Sequence, residues 1–244
     1  MSTRGVSQSA GSVSAVSPAD PPPPNVASAA AGRPVVERLP FVPDRLPERL
    51  ARCILGLAMF GLGISMFIAS GLGLAPWDVF HQGISRLTDI SIGLVIEMTG
   101  VVILLLWIPL RIRPGIGTIL NAIEIGLVVY LIDDRLPHSD NFVIRLAYVA
   151  AAVISVAVGS GLYIGAGLGS GPRDGLMLGL GQRGISIRRA RTVIEVSVLI
   201  AGIALGGKIG IGTVAFTFGI GPLVQFFLPR LRMHGNHTPA VSTH

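Results

Sequence analysis

Long runs of uncharged, apolar residues alternate with short polar stretches along most of the chain. A helix needs about 20 apolar residues to cross a hydrocarbon core of about 30 Å. Six runs reach or approach this length, so we predict a transmembrane helix in each of them: 52–72, 91–110, 115–132, 143–168, 191–207 and 210–228. The pattern therefore predicts an all-α fold, a polytopic transmembrane helical bundle.

Two groups of short motifs occur twice along this pattern. Gly-Leu-Gly, then Pro, then Asp occurs with the same spacing at 71–78 and at 167–174, and GIGT occurs at 115–118 and at 210–213. These matches indicate a duplicated unit of three long spans and one short Pro-Asp segment. An odd number of spans per unit gives the two copies opposite orientations, so we expect inverted repeats. In transporters, such repeats hold the working site at their interface.

The duplication and the composition divide the chain into four parts. Residues 1–48 are rich in Ser, Ala, Val and Pro and have no helical period, which predicts a disordered cytoplasmic tail rather than a cleavable signal peptide. Residues 49–136 are predicted to form transmembrane repeat 1, and residues 142–230 transmembrane repeat 2. Residues 231–244 are predicted to be a second disordered tail.

The basic residues indicate how the spans are oriented. With three spans per repeat and both termini cytoplasmic, 12 basic residues between 45 and 232 lie inside and 4 outside, as the positive-inside rule requires. Eight crossings, with the Pro-Asp segments spanning as well, also give 12 against 4. We prefer six crossings because each Pro-Asp segment offers only about 13 residues, or near 20 Å of helix.

Each Pro-Asp segment is typical of a helix N-terminus. Proline fits the first position of a helix, and an acidic residue two places later faces its free N–H groups, as Asp78 does after Pro76 and Asp174 after Pro172. Two interpretations are open: a capped turn at the membrane surface, or a broken helix that lines a cavity at membrane depth. His81 follows Asp78 by three residues, so the two can share a hydrogen bond or a proton.

Three glutamates lie inside the predicted spans, where an ionisable group costs about 2.5–3.5 kcal/mol on insertion scales and usually faces protein or water. Glu97 and Glu124 are either proton or ligand sites or structural hydrogen-bonding groups, and Asn121 lies one turn from Glu124. Glu195 follows Arg191 by four residues, so we expect these two to pair. The candidate substrate or proton site residues are Asp78, His81, Glu97, Asn121, Glu124, Asp174 and Glu195.

Composition supports a membrane protein, since 50% of the residues are hydrophobic, 13% are charged and the mean hydropathy is +0.69. The net charge of +6 does not indicate a nucleic-acid partner, because the arginines cluster between apolar runs. A single cysteine, Cys53, excludes an intrachain disulfide and a Cys-based metal site. No nucleotide or catalytic motif is present, so we expect no metal, no cofactor and no enzymatic activity.

Four stretches carry a resemblance to a known family: GLGLAPWDVFHQGIS, RPGIGTILNAIEIG, GLGSGPRDGLMLGL and KIGIGTVAFTFGIGPLVQ. Through them the chain resembles the YitT/YczE-like family of bacterial integral membrane proteins over about residues 50–230. The resemblance implies a multi-pass protein of the bacterial plasma membrane. It implies no particular substrate and no catalytic residue.

Two functions fit these observations. The first is a small-molecule transporter or permease, coupled to protons, with its site between the two repeats. The second is a non-transporting scaffold or regulator that supports another membrane protein or an export process. Carboxylates that cluster around one cavity would favour transport, and dispersed, individually paired carboxylates would favour the scaffold. The expected partners are the lipid bilayer and an unidentified small molecule, and a homo-oligomer is left open.

Overall fold

The computed structural model describes residues 45–233, apart from the side chain of Ile187. The tails predicted at 1–48 and 231–244 lie outside the described residues except for their inner ends. The described part is helical throughout, with short connections and one short 3-10 helix, Asp133–Arg135. Its α-helices are α1 (Leu46–Ser70), α2 (Pro76–Thr88), α3 (Ile92–Leu110), α4 (Ile116–Ile132), α5 (Phe142–Gly165), α6 (Pro172–Gly181), α7 (Ile187–Ala204) and α8 (Ile211–Leu231).

Five helices in the described range are long and apolar enough to cross a membrane: α1, α3, α4 with the following 3-10 helix, α5 and α8. They confirm five of the six predicted spans. The sixth prediction, 191–207, falls on α7, which does not meet the same criteria. The reason is that α7 begins before the apolar run and ends three residues short of its predicted end. Its 18 residues therefore include four charged side chains, Arg188, Arg189, Arg191 and Glu195.

Large apolar side chains cover the outer faces of these helices. Phe218, Val143 and Ile108 are each exposed by 70% or more, and few residues of α8 are buried. Such a surface would be costly in water, whereas lipid chains solvate it well. The buried core instead runs along α1 and α5, with Leu57 and Val156 among its members.

Helices α1 and α5 run antiparallel through the centre of the bundle. Gly56 near the start of α1 lies against Tyr163 near the end of α5, and Gly63 lies against Val156 one to two turns earlier in α5. The glycines let the two backbones approach closely, as in small-residue helix interfaces of membrane proteins.

Two backbone hydrogen bonds fix which helix ends meet. The Gly212 N–H donates to the Leu72 carbonyl over 2.8 Å, so α8 begins where α1 ends. The Gly117 N–H donates to the Leu168 carbonyl over 2.9 Å, so α4 begins where α5 ends. Since α1 and α5 are antiparallel, α4 starts at the same end of the bundle as α1.

Helix α3 runs opposite to α4, because Gly93 lies against Tyr130 while Gly100 lies against Ala122. It therefore also runs opposite to α1. The short helix α2, which connects α1 to α3, consequently begins and ends at the same end of the bundle. This agrees with the expectation that the first Pro-Asp segment does not cross.

Both short helices begin at proline, as predicted: Pro76 is the first residue of α2 and Pro172 the first of α6. Each packs against a long helix of the other half of the chain. Gly83 of α2 contacts Leu205 just after α7, and Gly175 of α6 faces the ring of Trp107 in α3. The first turns of α2 and α6 are thereby held inside the bundle.

Candidate functional site

A cavity of about 580 Å³ lies between the helices, and all eight contribute to its lining. The first turns of α2 and α6 meet there. The lining consists of an apolar part that includes Phe60, Ile64, Phe67, Ile96, Ile103 and Phe216, and a polar part that includes Trp77, Asp78, Thr99, Asn121, Ser160, Tyr163, Arg173, Asp174, Arg191, Glu195, Thr217 and Gln225. A cavity of this size and mixed polarity is typical of small-molecule sites.

Asp78 and His81 form a buried pair on α2, as their spacing predicted. His81 Nδ1 lies 3.3 Å from Asp78 Oδ1, and both side chains are almost fully buried. A carboxylate only accepts hydrogen bonds, so Nδ1 carries the hydrogen and donates. His81 Nε2 has no hydrogen-bond partner among the described residues. Burial lowers the pKa of His81, against the opposing effect of Asp78, so the fold disfavours the protonated imidazole.

Arg173 of α6 joins the two halves of the chain at this point. Its Nη2 lies 3.9 Å from Asp78 Oδ1, and its guanidinium carbon lies 4.8 Å from the centre of the Trp77 ring. The Arg173 side chain is 27% exposed, while that of Asp78 is 3% exposed. Arg173 is thus the more accessible member of the pair and shares the cavity with Trp77 and Asp78.

Asp174 also lines the cavity but in a different setting. It is half-buried, and its Oδ2 accepts a hydrogen bond from the Tyr163 hydroxyl over 3.3 Å. Met177, buried three residues later, stands where α2 has His81. The acid–imidazole pair of α2 therefore has no counterpart on α6.

The remaining candidates divide into two groups. Asn121 and Glu195 line the cavity, and Glu195 Oε1 accepts a hydrogen bond from Arg191 Nε over 2.9 Å, which confirms the predicted pair. Glu97 and Glu124 are half-buried outside the cavity lining. Within residues 45–233 neither of these two makes a hydrogen bond or an ion pair, so the structure gives neither one a structural bonding role.

Two pairs of residues were not predicted from the sequence. The first pair is Trp77 and Arg173, which occupy the middle positions of the two Pro-x-Asp motifs. Their equivalent positions in the two motifs could have indicated that they belong to the same site. Arg49 Nη1 donates to the Ala166 carbonyl over 2.7 Å, and Arg145 Nε donates to the Ser70 carbonyl over 2.6 Å. Arg49 of α1 thus caps the end of α5, and Arg145 of α5 caps the end of α1.

These arginines could have been found by extending the alignment. Arg49 and Arg145 are 96 residues apart, and so are the carbonyls that they cap, which is the shift that relates Gly71 to Gly167. No group of three or more His, Cys, Asp or Glu that could hold a metal ion occurs in the part of the chain described by the structure.

Comparison with known proteins places the chain in a family. Residues 47–229 match the model of a family described as "Family of unknown function (DUF6198)". An uncharacterized protein of Haemophilus influenzae is 39% identical over 72% of this chain and 81% of its own length. The uncharacterized membrane protein YczE of Bacillus subtilis is 30% identical over 72% and 83%, and the uncharacterized protein YyaS of the same organism is 27% identical over 74% and 92%.

No solved structure matches the chain. The family match covers most of the residues that form the helical bundle, and the similarity to YczE confirms the resemblance seen in the motifs. With its five long apolar helices, this chain is a membrane protein that belongs to the YczE-like family DUF6198.

Proposed function

We propose that this protein transports a small molecule across the plasma membrane and couples the movement to protons. The observation that carries the proposal is the cavity of about 580 Å³ in which the first turns of α2 and α6 meet. Broken or discontinuous helices whose N-termini face a central cavity are a recurring feature of substrate sites in secondary transporters.

The proposal includes an inverted repeat that permits alternating access. The antiparallel arrangement of α1 and α5 supports it, as do the reciprocal bonds Gly212–Leu72 and Gly117–Leu168. Trp77 and Arg173 occupy equivalent positions and contact each other. Equivalent residues touch only near the axis that relates two repeats, so this contact supports an axis through the cavity. Rocking of one half against the other would expose the cavity to each side in turn.

The proposed topology has six crossings with both termini in the cytoplasm. The helix directions support six rather than eight crossings, because α1 and α3 run in opposite directions. Positions 111 and 113 then lie inside, and positions 133–135 lie outside. Labelling a single cysteine at position 113 with a membrane-impermeant reagent on intact cells tests this, and labelling from outside would contradict it.

The test of transport is whether one cavity residue can be reached from both sides. In a Cys53→Ala background, we expect Thr217→Cys in the cavity lining to react with an impermeant maleimide from either face of proteoliposomes of defined orientation. Phe218→Cys is the matched control, since Phe218 is the next residue and is 75% exposed on the outer surface. Reaction of Thr217→Cys from one face only would contradict alternating access.

A second arm identifies the solute and the coupling ion. Proteoliposomes are screened for uptake of metabolites and drugs with and without a pH gradient, and uptake that the gradient stimulates supports proton coupling. The Asp78–His81 pair is the proposed proton site, because it is a titratable pair in direct contact with the charges of the cavity.

The scaffold remains the alternative, and one observation favours it. Glu97 and Glu124 lie outside the cavity lining, so only part of the expected carboxylate cluster is present. A scaffold would give one-sided labelling of Thr217→Cys and no saturable uptake of any solute. Neither function involves enzymatic chemistry.

A further inference from the structure

We infer that the transported solute is an organic cation that takes the place of the Arg173 guanidinium between Trp77 and Asp78. This inference rests on the proposed transport function and names its substrate class. Three features of the cavity carry it: the way in which Arg173 is held, the apolar walls around it, and the carboxylates at the two helix N-termini.

Arg173 occupies a position that is suited to a cation from elsewhere. An aromatic face and a carboxylate are the groups that bind organic cations in proteins. The guanidinium carbon is 4.8 Å from the Trp77 ring centre, while the closest approach to Asp78 is 3.9 Å. The second distance is beyond hydrogen-bond length, so charge holds Arg173 there without a directional bond. A long and partly exposed side chain held in this way can be displaced.

The walls of the cavity favour a ligand that carries apolar groups. Phe60, Phe67 and Phe216 line it together with several isoleucines. A volume of about 580 Å³ lies within the range of sites for small organic molecules and is far larger than a single metal ion needs. Desolvating an inorganic cation against such walls would also be costly. The chemistry therefore points to a charge embedded in an organic body.

The charges at the helix ends disfavour an anion. A free helix N-terminus attracts anions, and two of them meet here. However, Asp78 and Asp174 each place a carboxylate in the first turn of its helix, where an anion would have to bind. Arg173 interacts electrostatically with both carboxylates, so its displacement leaves them to a second cation. Asp174 keeps one oxygen without a protein hydrogen bond in the described structure and can face that cation.

The experiment measures binding of one probe cation to the full-length protein in non-ionic detergent. Equilibrium dialysis with benzyltrimethylammonium should show saturable binding, and phenylacetate, an anion of similar size, should not compete. Arg173→Gln removes the internal cation and should tighten binding about tenfold, whereas Trp77→Leu should weaken it at least about tenfold. Arg183→Gln is the matched control and should leave affinity unchanged, because Arg183 lies two residues beyond the end of α6 and outside the cavity lining.

Two outcomes would overturn the inference. One is absence of saturable benzyltrimethylammonium binding to the wild-type protein, which needs no variant to fold. The other is tighter binding of phenylacetate that Arg173→Gln abolishes, since this would identify an anion site. If Thr217→Cys is still labelled from both sides, either outcome contradicts the proposed substrate class but not the proposed transport. One-sided labelling together with saturable cation binding would instead contradict the proposed transport and support a cation-binding site.

Discussion

The first turns of α2 and α6 share one backbone plan but differ in their chemistry. Both begin at proline, both carry an aspartate at the third position, and both line the same cavity. Between proline and aspartate, α2 has Trp77 and α6 has Arg173, and one turn later α2 has His81 where α6 has Met177. The two helices start alike, but α6 supplies a cation and α2 supplies the groups that hold it.

The difference indicates which features serve the fold and which serve the site. Features found in both halves, such as the glycines after α1 and α5, support helix contacts. Features found in one half, such as the Asp78–His81 pair, make the two helix starts at the cavity chemically different. Substitutions in equivalent positions can therefore test the comparison directly.

The largest expected effect concerns the matched backbone. Gly73 has φ +108° and lies against Gly210, and Gly169 has φ +129° and lies against Gly115. A Cβ at either position would overlap the neighbouring GIGT segment and strain the backbone, at a cost of about 3 kcal/mol or more. We expect both Gly73→Ala and Gly169→Ala to lower the yield of monodisperse protein. The loss should be larger for Gly73→Ala, because its Cβ would overlap backbone, whereas that of Gly169→Ala would first meet the Thr118 hydroxyl.

The control for these variants is Gly206→Ala. Gly206 also has a positive φ, +89°, but nothing lies within 4 Å of an added Cβ. Gly206→Ala should therefore lower the free energy of unfolding only by the backbone strain, about 1–2 kcal/mol. A normal yield of either variant would weaken the view that the two halves are built alike.

The next effect separates the two aspartates. Asp78→Asn removes the charge opposite Arg173 and replaces the carboxylate acceptor of His81 by a neutral amide oxygen, so the free energy of unfolding in detergent should fall by about 1–3 kcal/mol. Asp174→Asn changes a half-buried group with one hydrogen bond and should cost less than about 1 kcal/mol. Both variants should reach the membrane in nearly normal amount, since Asn still suits a helix start.

The proposed transport should be lost in both variants despite this difference in stability. Two-sided labelling of Thr217→Cys is the readout, and both Asn variants should reduce it. If abundance and labelling fall together in each variant, the aspartates are structural and the comparison between the two halves has no functional meaning.

A smaller effect tests the histidine that only α2 contains. Burial lowers the pKa of His81 below that of the unfolded chain, so the folded state resists protonation. Stability is fully present above the unfolded pKa near 6.5 and declines as the pH falls below it. His81→Met, which copies Met177 of α6, should reduce the loss of thermal stability between about pH 7.5 and 5.5.

The groups that face His81 are Asp78 and Arg173, and both are unchanged in this variant. Exposed His138 supplies the control, because His138→Gln should leave the pH dependence as it is in the wild type. An unchanged pH dependence in His81→Met would assign the acid sensitivity to other groups.

The smallest effect is expected for the glutamates outside the cavity. Glu97→Gln and Glu124→Gln should alter benzyltrimethylammonium affinity by less than about twofold, since neither side chain lines the site. Infrared titration between about pH 5 and 8 checks whether either carboxyl exchanges a proton. A carboxyl signal that one of these variants removes, together with loss of gradient-driven uptake, would move the coupling site away from Asp78 and His81.

Much of the fold could be predicted because its signals are local. Run length and hydropathy located five spans, and the position of proline located the first residues of α2 and α6. The span predicted at 191–207 was not confirmed. The helix found there, α7, includes the charged residues before the apolar run and is therefore less apolar than a membrane span. Pairs within one helix, Asp78–His81 and Arg191–Glu195, were also within reach, since a spacing of three or four residues fixes which side chains are neighbours.

The membership of the cavity was less predictable. Glu97 was as strong a candidate as Asn121, yet Asn121 faces the cavity and Glu97 packs against Gly126 of the neighbouring helix. Which face of an apolar helix turns inward depends on its neighbours. Hydropathy does not reveal that face when nearly every residue is apolar.

The sequence by itself determined the all-helical membrane class, the positions of most helices, the two Pro-Asp starts and the shift of 96 residues between matching motifs. Only the tertiary structure decided that Arg173 lies next to Trp77 and Asp78. It also decided that Arg49 of α1 caps the end of α5 and that Arg145 of α5 caps the end of α1. The physical reason is distance along the chain. These contacts join residues 75 to 117 positions apart, and they arise from antiparallel packing of whole helices, which no local pattern encodes.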